Sequence, residues 1–118
     1  DSVRKAKRAE GRAALMQLMQ QQERYYSQHN GYLAFSSSSS HADEKKFRWH
    51  SGDNPETSAY EISGAACAGE SIADCIELTA KPGTSKVDAG FKDAACGDLS
   101  LTSAGVKKAS GAATNCWK

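Results

Sequence analysis

Apolar positions in the first quarter of the chain recur with a helical period. Residues 1–29 contain no proline and a single glycine, Gly11, among many residues that favour helices. Cations dominate the first half of this segment, and an apolar and aromatic stripe runs along the second half. The pattern predicts one long helix that stops at Asn30-Gly31 and packs on a core only through its second half. The stripe consists of Leu15, Leu18, Met19, Gln22, Tyr25 and Tyr26.

Residues 30–58 show little periodicity and predict a long connection. They contain the serine run 36–40, the charged stretch 43–48 and the pair Asn54-Pro55. A connection of this length in a compact domain is typically functional or poorly ordered. The serine run suits either a solvated linker or a binding loop, and the sequence leaves both interpretations open.

Short runs of alternating apolar and polar residues fill the region 59–118. Three or four strands are predicted, at 60–63, 75–80, 98–102 and 106–109. The link 103–105 is short enough for an antiparallel hairpin between the last two strands. The chain is therefore predicted to be a single α+β domain over residues 1–118, with the helix covering one face of a sheet.

Charge and cysteine content narrow the classes of function. Fifteen Lys and Arg against fourteen Asp and Glu give a net charge of +1, so nucleic-acid binding would need a local basic patch. The four cysteines lie in the second half of the chain, without CxxC spacing and without a histidine at ligand spacing. This pattern favours two disulfides of open connectivity, an exported protein, and neither metal nor cofactor.

Signatures of catalysis are missing from the sequence. The acidic residues show no pairing motif, and no serine lies in a nucleophile elbow. We therefore expect a packing and binding protein and not an enzyme. The chain also lacks a signal peptide and an apolar run of about 18 residues or more, so export is expected to depend on a segment outside it.

Several segments, in their order, resemble the type IV pilin family. The helix opening at 3–6 and its end through Tyr25-Tyr26 to Asn30-Gly31-Tyr32 are similar to pilins just after their hydrophobic N-terminal segment. The segments 78–82, 93–101 and 105–111 and the pair Cys116-Trp117 follow in the order of minor pilins. The resemblance implies a four-stranded antiparallel sheet packed on the helix.

The resemblance also implies which cysteines form disulfides, which partners the protein has and where in the cell it lies. Cys96 would pair with Cys116 around a C-terminal loop, and Cys67 would then pair with Cys75. The hydrophobic half of the helix, missing from this chain, would anchor in the inner membrane before assembly and pack against other pilin subunits in a cell-surface filament. The two bridges, the serine-rich loop and the scattered lysines are similar to competence pilins that bind DNA uptake sequences in double-stranded DNA. A structural or filament-initiating minor pilin without DNA affinity is the alternative.

Candidate DNA contacts follow from where the cations stand relative to the acids. No acid occurs in 78–87 or after Asp98, and cations alternate with aromatic residues in 45–49. Phe47 and Trp49 would alternatively pin the loop onto the sheet, and the lysines would be solvated or protect a strand edge. The two acid-free segments are predicted to form one electropositive stripe. The candidates are Lys45, Lys46, Arg48, Trp49, Lys81, Lys86, Lys107 and Lys108.

A separate basic run occupies the first half of the helix. Because that part of the helix is expected to pack against neighbouring subunits, we leave it out of the DNA site. Its cations are predicted to pair with acidic groups in the filament or to lie near lipid headgroups before assembly. They are Arg4, Lys5, Lys7, Arg8 and Arg12.

Overall fold

The computed structural model describes every residue from Asp1 to Lys118. One long helix precedes four strands, which form an antiparallel sheet in the order β1-β2-β3-β4. The prediction of a helix packed on a four-stranded antiparallel sheet is confirmed. The bounds are α1 Ser2–His29, β1 Tyr60–Ala66, β2 Ile76–Pro82, β3 Leu99–Thr102 and β4 Lys107–Ala109.

Both ends of α1 are capped. The Asp1 carboxylate accepts a hydrogen bond from the Arg4 backbone N–H at 2.8 Å, which satisfies one of the free donors of the first turn. At the other end Asn30 adopts the left-handed conformation, with φ 57° and ψ 37°, and its N–H donates to the Tyr26 carbonyl. The helix thus stops where the sequence predicts. No helix of the protein has the length and apolar character needed to cross a membrane.

The core lies between α1 and one face of the sheet. Alternate residues of β1, β2 and β3 point toward the helix, as the strand period requires. Gln22 is fully buried among them, and its amide exchanges two hydrogen bonds with the Leu33 backbone, which ties the connection to α1. The largest apolar side chains with no exposed surface are Leu15, Tyr60, Ile62, Ile76, Leu78 and Leu99.

The first half of α1 also packs against the rest of the domain, which corrects the prediction that the helix packs on a core only through its second half. Arg8 is buried because its guanidinium donates two hydrogen bonds, of 2.6 and 2.7 Å, to the Asp93 carboxylate. Gly11 is buried one turn later, where its missing side chain leaves room for the ring of Tyr60. Arg12 donates to the Cys116 carbonyl at 3.0 Å. The prediction that Arg8 pairs outside the chain is therefore also wrong.

The connection between α1 and β1 is packed along the free edge of the sheet. Phe35 and Phe47 are buried, with ring centres 5.2 Å apart, so Phe47 pins the connection to the core. Isolated antiparallel bridges join Phe35 to Gly64 and His50 to Glu61. Within the serine run the Ser37 hydroxyl donates to the Glu61 carboxylate at 2.8 Å. The edge of β1 is thereby covered.

Both disulfides implied by the family resemblance are present, Cys67–Cys75 and Cys96–Cys116. The first closes the link between β1 and β2, and the second joins the segment before β3 to the chain after β4. Glu70 lies near the Cys67 and Cys75 sulfur atoms, but these are bonded to each other and leave no thiolate for a metal ion.

Candidate nucleic-acid interface

Strand alternation separates the two neighbouring lysines of β4. Lys108 pairs in register with Ser100 and lies on the sheet face turned away from α1, where its Nζ is 2.9 Å from the Glu77 carboxylate. Lys107 pairs with Leu101 and lies on the helix side, with its Nζ 5.7 Å from the centre of the Trp117 ring. These two lysines therefore do not share one surface.

The remaining lysine of the sheet also faces an acid. Lys81 of β2 is exposed and stands directly opposite Glu61 of β1. Lys86 is exposed in the link that follows β2. Because Lys81 faces Glu61 and Lys108 binds Glu77, the outer sheet face carries both signs of charge. This face offers a polar surface without a strong positive field.

A second group of cations lies beside α1, where the connection between α1 and β1 runs along the free edge of the sheet. A single 3-10 turn, Glu44–Lys46, places the Lys46 backbone carbonyl 3.1 Å from the Gln21 amide nitrogen, which donates to it. Lys46 and Arg48 then line the space between this segment and α1, together with Arg24 of the helix. We call this space the helix–loop groove.

The helix–loop groove consists of two adjoining cavities of about 410 and 250 Å³, which share Gln21, Arg24 and Lys46 as lining residues. Three cations and one carboxylate, that of Asp43, line it, so three minus one leaves an excess of two positive charges. The Asp43 carboxylate lies 3.4 Å from the Lys46 Nζ, an exposed contact of little strength. The other polar lining residues are Gln17, Gln21, Gln28 and His29.

Not every residue predicted near this segment reaches the groove. Lys45 is exposed on the same 3-10 turn but does not line either cavity. Trp49 is half-buried, with its ring 5.0 Å from that of His50, and its carbonyl accepts from the Ile62 N–H. Arg24 is not among the sequence candidates, because it is the only Lys or Arg in the second half of α1 and its basic neighbours come from the path of the loop.

A long capped helix on a four-stranded antiparallel sheet, with the C-terminal region closed by a disulfide, defines this chain as a type IV pilin domain. A type IV pilin from Shewanella oneidensis superposes with a TM-score of 0.58 at 28% identity, over 98% of each chain. The minor pilin PilV of Neisseria meningitidis, at 21% identity, superposes with a TM-score of 0.62 over 98% of this chain and 94% of the other.

A family assignment refines this class. The family described as "Type IV minor pilin ComP, DNA uptake sequence receptor" matches residues 1–100, and the chain belongs to this family. No curated protein matches the sequence. The protein is therefore a type IV minor pilin, a class of subunits of cell-surface pili.

Proposed function

We propose that this minor pilin binds extracellular double-stranded DNA during natural transformation, with the helix–loop groove as its main phosphate contact. The observation that carries the proposal is the meeting of Arg24, Lys46 and Arg48 around one groove with a single neighbouring acid. The description of the family as a DNA uptake sequence receptor supports the same partner. Membrane anchoring through a hydrophobic helical segment outside this chain, followed by assembly with other pilin subunits, belongs to the same proposal.

Exposed cations bind DNA because they displace counterions from its phosphates, so their grouping matters more than the net charge of the chain. Phosphate contacts fix the register of the protein on the duplex, and base contacts provide sequence preference. The Gln17 and Gln28 amides, which line the groove, offer both a donor and an acceptor, the combination that matches the edge of an adenine. The groove therefore combines both kinds of contact.

The other candidates have different roles in this proposal. Lys45 and Trp49 flank the groove and would contact the same duplex at its margin. Lys81 and Lys108 stand beside carboxylates, so part of their charge is already compensated. We expect Lys81, Lys86, Lys107 and Lys108 to add long-range attraction, which salt screens, and little direct contact.

The test is a fluorescence titration of a labelled duplex at increasing salt concentration. The triple variant Arg24→Gln, Lys46→Gln, Arg48→Gln is compared with the charge-matched Lys81→Gln, Lys107→Gln, Lys108→Gln. The logarithm of the wild-type binding constant should fall linearly with the logarithm of salt concentration, and the groove variant should lower that slope by roughly one per cation. Circular dichroism checks that both variants fold.

Other results of the titration would favour a different function or a different binding surface. A wild-type protein without DNA affinity would support the structural or filament-initiating minor pilin. Equal losses in the two variants would mean that overall charge matters and that the groove is not the contact. A larger loss in the sheet variant would favour a stripe of lysines on the sheet.

A further inference from the structure

A second cluster of cations occupies the other flank of α1. Lys5, Arg8 and Arg12 follow one another at helical spacing and meet the C-terminal residues Asn115 and Lys118 around a cavity of about 250 Å³. No hydrophobic residue lines this cavity. We call these five residues the C-terminal basic pocket.

The protein holds two of these side chains in place. The Arg8 Nε and Nη2 atoms donate to Asp93, whose side chain is fully buried, and Nη1 has no partner within the chain. Arg12 Nη1 donates to the Cys116 carbonyl, next to the disulfide with Cys96. These guanidinium groups are positioned before a ligand arrives, which lowers the entropic cost of binding.

The charge of the pocket is only partly compensated by the protein. Its four cations are Lys5, Arg8, Arg12 and Lys118, and only Arg8 has a carboxylate within salt-bridge distance. Four minus one leaves an excess of three positive charges among the side chains, which the α-carboxylate of a chain that ends at Lys118 lowers to two. Because like charges held together repel one another, an anion in the pocket would stabilise this arrangement.

The pocket is separate from the helix–loop groove. An α-helix turns by about 100° per residue, so positions 5, 8 and 12 lie on one side of the buried stripe that contains Gly11, Leu15 and Leu18. Positions 17, 21, 24 and 28, which line the groove, lie on the other side. One straight duplex bound in the groove therefore does not fill the pocket.

We propose that the C-terminal basic pocket binds a phosphate group. A phosphate group carries more than one negative charge and offers several acceptor oxygens. Guanidinium groups bind it through paired hydrogen bonds. A carboxylate brings one charge and two oxygens and would neutralise less of the excess charge. The phosphate could come from the solution or from the phosphomonoester headgroup of phosphatidic acid, and both sources offer several terminal oxygens and more than one negative charge.

The first experiment is an NMR titration with inorganic phosphate at low ionic strength. Saturable shifts are expected at the backbone amides of residues 5–12 and 115–118. The double variant Lys5→Gln, Lys118→Gln should weaken phosphate binding by about tenfold, since it removes two charge-assisted contacts. The control Lys86→Gln, Lys92→Gln removes the same charge from exposed positions that do not line the pocket and should leave phosphate binding unchanged.

Acetate and vesicles distinguish the ligand class and its source. Acetate should bind more weakly than phosphate, and a response equal to that of phosphate would overturn the proposal. So would a phosphate titration without saturation, or equal affinities in Lys5→Gln, Lys118→Gln and the wild type. Flotation with phosphatidic acid vesicles but not phosphatidylcholine vesicles, lost in the same variant, identifies the headgroup as the source. Phosphate binding without such flotation identifies soluble phosphate.

Discussion

At the residue scale, the ion pair between Arg8 and Asp93 fixes the first half of α1. The side chains are 10% and 0% exposed, and one Asp93 oxygen also accepts from the Cys96 N–H at 3.3 Å. The hydrogen bonds from Arg8, assisted by the one from Cys96, hold the pKa of Asp93 below its ordinary value of 3.8 against the opposing effect of burial. The pair therefore links α1 to the disulfide-bonded C-terminal region.

Asp93→Ala leaves the Arg8 guanidinium buried without its partner. We expect a loss of about 3–5 kcal/mol in the free energy of unfolding, measured by urea denaturation at pH 7. The control is Asp43→Ala, which removes the exposed pair with Lys46 and should cost about 0–1 kcal/mol. Similar costs for the two variants would contradict the importance of the buried pair.

The same comparison at low pH tests the charge of Asp93. Because its folded-state pKa is lowered, the stabilisation is fully present above the ordinary value and is lost as the pH falls through the folded-state value. The difference between the wild type and Asp93→Ala should stay constant from about pH 7 to 5 and shrink below about pH 4. If the difference in the free energy of unfolding already disappears near pH 6, a histidine and not Asp93 is the group that titrates.

At the element scale, α1 and β1 approach so closely at Gly11 that glycine is required there, although it is a poor helix former. A Cβ added at Gly11 would lie 2.8 and 2.9 Å from ring atoms of Tyr60, closer than such atoms approach. The Tyr60 ring is fully buried and packs edge-on against Phe91, with ring centres 5.5 Å apart. Tyr60 has little room to move.

Gly11→Ala should therefore destabilise the protein although alanine is the better helix former. We expect a loss of roughly 1–3 kcal/mol from overpacking, measured as a lower thermal midpoint. The control is Ala13→Gly, at an exposed position two residues along α1. It changes helix propensity without changing packing and should cost about 1 kcal/mol. A higher midpoint for Gly11→Ala would mean that α1 does not pack tightly on β1.

The elements themselves follow from sequence periodicity, but several of their contacts do not. Helical and strand periods locate α1 and the strands, since they depend on neighbouring residues. The burial of Arg8 depends on Asp93, 85 residues away, and no local pattern contains that information. The opposite orientations of Lys107 and Lys108 could have been predicted, because adjacent residues of a strand point to opposite faces.

At the scale of the whole molecule, α1 separates two regions with an excess of positive charge, and the outer sheet face carries both signs. Family resemblance indicates the fold and the disulfide pairs from the sequence. The helix–loop groove is different, because Arg24, Lys46 and Arg48 meet only once the connection folds back along α1. The path of such a connection depends on tertiary packing, here of Phe47 and Gln22, and has no periodic signal.

The most direct test of the account is an NMR map of amide shifts on addition of a duplex at low salt. We predict that the largest changes fall within residues 17–29 and 43–49, on both walls of the helix–loop groove. The outer-face residues Ser63, Thr79 and Ser100 should change little. Changes concentrated on those three residues and on Lys81 and Lys108, with the groove unaffected, would contradict the account.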